Sequence, residues 1–338
     1  MMKLSNGQIL DIATGSVSHK TTEDGLVLYR FTREQIELFR ETKESYYLRS
    51  LASSGIRLHF RTDSEYLDLK VGVKVGGKRT YFSFDLFING KFYHSLNNFS
   101  ENCRGKDYTV ASFPLGQFEK RFLLGKGEKE ICLYLPWSTE TALREVSLSD
   151  GASLIPIRPK KTLLAFGDSI TQGFDALHPC EKYISRLADS LDAVEYNKAI
   201  GGIIFFPPLA ATKENLNPDY ITVALGTNDW SSCEQEVFLQ NCRDFFSNLR
   251  RSYPEPPVFV LTPIWRKDES TPRKFGAFSQ VDPLIRSIAS QFESVTVISG
   301  YDLVPHRETL YADFRLHPND EGFHFYYKSL RKKFDSLL

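Results

Sequence analysis

The hydrophobic rhythm of the 338-residue sequence changes about midway, and this constrains the fold more than any other feature. Before the change, Ile56–Thr62, Tyr66–Val73, Thr80–Ile88 and Ile131–Leu135 are rich in aromatic and β-branched residues, and several alternate apolar with polar. Period 2 is the signature of a half-buried strand. Asn89-Gly90 and Gly76-Gly77 read as turns, the first of type I′ because both of its residues must take positive φ. Short strands in succession predict a β-sandwich or jelly roll, with one helical stretch at Thr32–Leu51.

Leu154–Lys161 (LIPIRPKK) interrupts the pattern with prolines and basic residues, and places a domain boundary between segments 1–157 and 158–338. Beyond it, strand-like runs at Thr162–Phe166, Val194–Asn197, Ile221–Leu225, Val258–Leu261 and Val295–Ile298 alternate with helical stretches. The clearest helix is Glu234–Tyr253, where Phe238, Cys242, Phe245 and Leu249 recur at helical spacing. Apolar strands alternating with amphipathic helices imply a parallel sheet covered on both faces, an α/β domain. Such sheets carry their chemistry outside the carboxyl ends of the strands.

Charge narrows the partners. Lys and Arg number 42 against 42 Asp and Glu, so the basic excess of a nucleic-acid or anionic-membrane binder is missing. No run approaches the roughly 18 apolar residues of a membrane helix, and the first residues lack the apolar core of a secretory signal. A soluble cytoplasmic protein is expected. Five cysteines between Cys103 and Cys242 form no CxxC pair and read as free thiols, with neither a disulfide framework nor a metal site expected.

Four short blocks carry the chemistry. The first strand of the second domain runs into Gly167-Asp168-Ser169-Ile170-Thr171-Gln172-Gly173. A serine at a tight strand-to-loop turn can attack with its hydroxyl and offer its own N–H to the oxyanion. Asn197-Lys198-Ala199-Ile200-Gly201-Gly202 follows the next strand, and Gly202 could lend a backbone N–H. Leu225-Gly226-Thr227-Asn228-Asp229 follows the third, and the Asn228 amide is a further donor. Asp313-Phe314-Arg315-Leu316-His317 lies before the C-terminal helix, and a neutral histidine is the usual base for activating a serine. Taken singly, each block is an ordinary turn, an Asx-turn or one histidine of seven.

Together and in this order the blocks resemble the SGNH (GDSL-type) hydrolases, from Thr162 to the C-terminus. The resemblance implies a flavodoxin-like α/β/α domain with Ser169 as nucleophile and His317 as base. It also implies an oxyanion hole built from the Ser169 and Gly202 N–H groups and the Asn228 side chain, with Asp168 in support. Two departures stand out. Ala199 occupies a position where the family commonly has glycine or serine, and Phe314 stands where it has the aspartate of DxxH. A one-residue bulge could still bring Asp313 to the imidazole; otherwise a backbone carbonyl orients a Ser–His dyad. Asp320 reads as a first-turn helix charge or cap.

The segment Ser53–Ser64 (SSGIRLHFRTDS) resembles part of the β-sandwich that precedes the SGNH domain in family 2 carbohydrate esterases, which deacetylate sugars. The resemblance implies a serine esterase acting on short acyl esters, such as O-acetyl groups on a carbohydrate or small molecule, without cofactor. The sandwich would then help form or cover the cleft. Phe205, Phe206, Trp230, Trp265 and Arg266 stand where they could line a pocket, although residues of this kind are more often core. Two rivals stay open: an acyltransferase sharing the acyl-enzyme, and an inactive carbohydrate-binding protein.

Overall fold

The computed structural model describes residues 1–100 and 107–337, which leaves the Cys103 reading outside the described residues. The chain forms two compact units. One comprises Met1–Lys160 with the short segments Leu177–Cys180 and Val194–Tyr196; the other comprises Lys161–Ala176, Glu181–Ala193 and Asn197–Leu338.

Among the described residues the first unit holds two six-stranded sheets whose strand pairs are antiparallel. One runs Ser18–Thr22, Gly25–Tyr29, Thr139–Leu148, Tyr66–Val75, Gly116–Leu123, with Met2–Lys3 beside Thr139–Leu148. The other runs Ile155–Pro156, Arg57–Thr62, Lys129–Tyr134, Ser83–Ile88, Lys91–Asn97, with Ala13–Thr14 beside Arg57–Thr62. Leu67, Leu69, Val71 and Val146 from the first sheet share one core with Leu58, Phe60, Phe84 and Ile131 from the second. This is the sandwich that the period-2 pattern predicts. Asn89 and Gly90 take φ 51° and 73°, as a type I′ turn requires.

Two local readings change. Thr32–Leu51 is not one helix but two, Arg33–Thr42 and Glu44–Ser50, separated by Lys43 in an extended conformation. The first opens on a capping box between Thr32 and Gln35. A further helix, Asn6–Ile12, opens on a Ser5–Gln8 capping box and buries Ile9 and Ile12. That S-x-x-Q spacing was a readable start signal.

The second unit is built on strands β1 (Lys161–Gly167), β2 (Ala193–Asn197), β3 (Tyr220–Ala224), β4 (Val258–Leu261) and β5 (Val295–Ile298). Among them run helices α1 (Ser169–Gln172), α2 (Tyr183–Ser190), α3 (Pro207–Ala211), α4 (Thr227–Ser232), α5 (Gln235–Ser252) and α6 (Val281–Ala289), and α7 (Asp320–Asp335) closes the chain. The sheet order is β2-β1-β3-β4-β5, and β1–β3, β3–β4 and β4–β5 pair in parallel. This is the flavodoxin-like order, whose crevice opens where β1 and β3 diverge toward opposite edges. Phe238, Cys242, Phe245, Phe246 and Leu249 of α5 are buried, which accounts for the helical periodicity of that segment.

Candidate active site

The switch point places two of the four blocks side by side, because β1 ends at Gly167 and β3 at Ala224 in register. At the end of β1 the chain turns directly into α1. Gly167 permits the turn: a Cβ there would lie 2.3 Å from Thr171 Oγ1. Asp168 caps α1, its carboxylate accepting from the Ile170 N–H at 2.9 Å. The cap therefore uses the Ile170 N–H. Ser169 is the first helical residue, whose N–H has no partner within the helix. Burial pushes the Asp168 carboxyl up to about 6, against the Ile170 N–H and the charges of His317 and Arg266.

Ser169 is buried, with Oγ 2.9 Å from His317 Nε2. On the other ring nitrogen, Nδ1 lies 2.9 Å from Asp313 Oδ2. The spacing problem in the fourth block is resolved at Phe314. That residue adopts left-handed φ 53°, absorbing the extra residue between Asp313 and His317. Asp313 Oδ1 accepts from the N–H groups of Arg315, Leu316 and His317, so the loop is wound around the carboxylate. Burial alone would raise this carboxyl. The His317 hydrogen bond and charge, with the Leu316 and His317 N–H groups, outweigh burial and hold it well below the usual carboxylate range. An ionised Asp313 accepts only, so His317 carries its proton on Nδ1 and presents a lone pair on Nε2 to the serine.

Asn228 lies in the first turn of α4, and its Nδ2 donates to the Ile203 carbonyl at 3.0 Å, leaving the second amide hydrogen to point elsewhere. Ile203 immediately follows Gly202, which is exposed at φ 78°. The second and third blocks are also joined by Asp229, whose Oδ1 accepts from the Phe205 N–H at 3.0 Å. Asp229 is fully buried, and burial pushes its carboxyl up to about 7. The first and second blocks meet where the Gly201 N–H donates to Gln172 Oε1 at 2.8 Å and the Asn197 amide donates to the Thr171 carbonyl at 2.9 Å.

Arg266 is buried beneath this arrangement rather than lining a pocket. It donates to the Thr227 carbonyl, Thr227 Oγ1 and Ser231 Oγ at 3.1, 3.0 and 2.9 Å, and pairs with Asp268 at 2.6 Å. Asp268 in turn accepts from Arg315 of the histidine loop at 3.1 Å. Phe205 and Trp230 are likewise core residues, the more common place for such aromatics, and the pocket alternative falls for both. Phe205 packs among Phe238, Phe245 and Phe246, while Trp230 lies edge-on to Phe278 and donates to the Gly276 carbonyl. Asn319, not Asp320, caps α7, and Asp320 sits in its first turn.

Sequence reasoning missed Phe174 and Asp175, whose only signal was that they follow the serine block closely. The Phe174 ring lies 5.7 Å from the imidazole, and Asp175 Oδ2 lies 3.4 Å from His317 Nδ1. Among the described residues, Asp175, Asp313 and His317 are the His, Cys, Asp or Glu group whose ligand atoms converge, within 4.8 Å of one another. Both ring nitrogens of His317 already face protein partners at hydrogen-bond distance, an arrangement suited to moving a proton. Among the described residues no helix is long and apolar enough to cross a membrane.

Residues 165–324 match the model of the GDSL-like lipase/acylhydrolase family. The chain carries a GDSL-like acylhydrolase domain. The match spans the serine, glycine, asparagine and histidine blocks, in the order in which they stand in the sequence. Solved structures share the fold over nearly the full length. A salicylyl-acyltransferase from a tetracycline biosynthetic pathway is 20% identical, with TM-score 0.78 over 96% of this chain and 94% of its own. A family two carbohydrate esterase from Clostridium thermocellum, in complex with cellohexaose, is 14% identical, with TM-score 0.64 over 85% and 93%. Another from Cellvibrio japonicus is 15% identical, with TM-score 0.63 over 96% of each chain. A sequence comparison with curated proteins finds no match.

Proposed function

We propose that this SGNH domain is a serine esterase that cleaves short acyl esters, with O-acetylated carbohydrates as the substrate class. The observation that carries the reading is the relay of 2.9 Å contacts from Ser169 Oγ to His317 Nε2 and from His317 Nδ1 to Asp313 Oδ2. Ser169 Oγ attacks the ester carbonyl while His317 Nε2 takes its proton. The Ser169 and Gly202 N–H groups and the Asn228 amide receive the developing oxyanion, and His317 returns the proton to the leaving alcohol. Water, deprotonated by His317, then attacks the Ser169 acyl ester and releases the acid. Asp313 stays ionised throughout and stabilises the imidazolium. The carbohydrate substrate class is supported by the fold shared with family two carbohydrate esterases.

The test is hydrolysis of p-nitrophenyl acetate, butyrate and octanoate by wild type and Ser169→Ala. The expected result is acetate-selective turnover that falls on the order of 10⁵–10⁶-fold in the variant. Turnover unchanged by the substitution overturns Ser169 as nucleophile. The fold shared with the salicylyl-acyltransferase favours a second reading, transfer of the same acyl group to an alcohol acceptor. Acyl-enzyme that forms from the ester but turns over only when an acceptor alcohol is added would decide for transfer.

A further inference from the structure

One carboxylate is enough to orient a catalytic histidine, yet His317 faces two. Asp313 Oδ2 lies at 2.9 Å from Nδ1, and Asp175 Oδ2 at 3.4 Å from the same nitrogen. They come from different elements. Asp313 belongs to the histidine's own loop, which its Oδ1 also holds together through three backbone N–H groups. Asp175 belongs to the segment that leaves the serine helix.

That segment folds back sharply. The Gly173 and Phe174 N–H groups both donate to the Ser169 carbonyl, at 3.0 and 2.9 Å, with Gly173 at φ 112°. Asp175 then takes left-handed φ 71° and is completely buried. Asp and Asn are the side chains besides glycine that visit this region most readily. A buried ionisable side chain held in an uncommon backbone conformation against an active-site ring marks a functional constraint. Phe174, one residue earlier, packs its ring against the same imidazole.

We propose that Asp175 is a second positioning residue for His317. It tethers the imidazole to the segment that carries Ser169, offers an alternative acceptor for the Nδ1 proton, and adds negative charge beside the imidazolium that forms when Ser169 gives up its proton. The proposal rests on the serine esterase reading. Asp168, at the cap of the serine helix, also interacts with the ring through its charge.

The consequence is a dependence of each carboxylate on the other. Wild type, Asp175→Asn, Asp313→Asn and the double variant are compared by three readouts. These are kcat on p-nitrophenyl acetate, the rate of Ser169 phosphonylation by a fluorophosphonate, and the Nδ1 proton of His317 in protein labelled with ¹⁵N-histidine. Asparagine keeps the left-handed backbone accessible and the side-chain volume nearly constant, so a purely structural role for Asp175 would leave the histidine tautomer unchanged.

Asp175→Asn alone is expected to cost less than about tenfold in kcat, and about a hundredfold or more when Asp313 is already Asn. The double variant is expected to fall about 10⁴-fold, the scale of losing the histidine tautomer. The Nδ1 proton should persist in each single variant and be lost only in the double. Equal factors for Asp175→Asn in both backgrounds, or an unchanged tautomer in the double variant, would overturn the proposal. A wild type that neither cleaves esters nor reacts with the fluorophosphonate overturns the esterase reading instead. The tautomer measurement needs no turnover and still decides the role of Asp175.

Discussion

At Asn228 a single side chain joins two tasks. One amide hydrogen is committed to the Ile203 carbonyl at 3.0 Å, which anchors the side chain beside Gly202. In the proposed mechanism the other receives the oxyanion. Loss of one oxyanion donor typically costs 10²–10³ in kcat. Asn228→Ala should therefore lower kcat for p-nitrophenyl acetate by about that factor with KM little changed, since the donor matters most when the carbonyl oxygen becomes charged. A rise in KM at constant kcat would place Asn228 in ground-state binding instead. Phe314 is the residue on which the family resemblance was ambiguous. Its φ of 53° is a conformation that a bulky side chain rarely adopts, and a pattern match on residue types could not anticipate it.

At the scale of elements, the site depends on loops and helix starts that hold one another. Arg266 clamps α4 through Thr227 and Ser231, and its partner Asp268 reaches Arg315 in the histidine loop. Removing one partner of a buried, hydrogen-bonded ion pair costs roughly 3 kcal/mol or more. Arg266→Met should lower Tm by several degrees and reduce kcat for p-nitrophenyl acetate, because the first turn of α4 carries Asn228. Thermal melts together with steady-state kinetics check this. A variant with wild-type Tm and kcat would show that the clamp is dispensable. The elements themselves were legible in unequal measure. The amphipathic stripe of α5 and the apolar runs of β1, β3 and β4 announce themselves, because each buries a long contiguous face. The split of Thr32–Leu51 at Lys43 did not, because two short helices in succession read as one mixed period.

For the whole molecule, two buried carboxyls set a pH dependence. Burial raises Asp229 from an ordinary carboxylate value to about 7 and Asp168 to about 6. The folded chain thus binds protons that the unfolded chain has released above about pH 4. The resulting stability is fully present below the unfolded pKa and is lost as pH rises through the folded values, between about 4 and 7. Asp229→Asn keeps an acceptor for the Phe205 N–H and removes the ionisation. Its Tm should decline less than that of wild type between pH 4 and pH 8, and the two curves should diverge most above pH 7. Parallel Tm–pH curves would show that Asp229 does not ionise over this range.

The two-part plan of the chain follows from the sequence, because burying one face of a strand or helix imposes a period that composition cannot hide. The likeness to the GDSL-like acylhydrolase model followed too, since the serine, glycine and asparagine blocks each follow a strand, the histidine block precedes the C-terminal helix, and their order is linear information. The sheet order β2-β1-β3-β4-β5, the left-handed bulge at Phe314, the burial of Trp230 and Arg266, and the approach of Asp175 to His317 were decided only in three dimensions. Each depends on residues far apart in the chain meeting at one strand edge, or on a backbone angle paid for by contacts that no local pattern encodes.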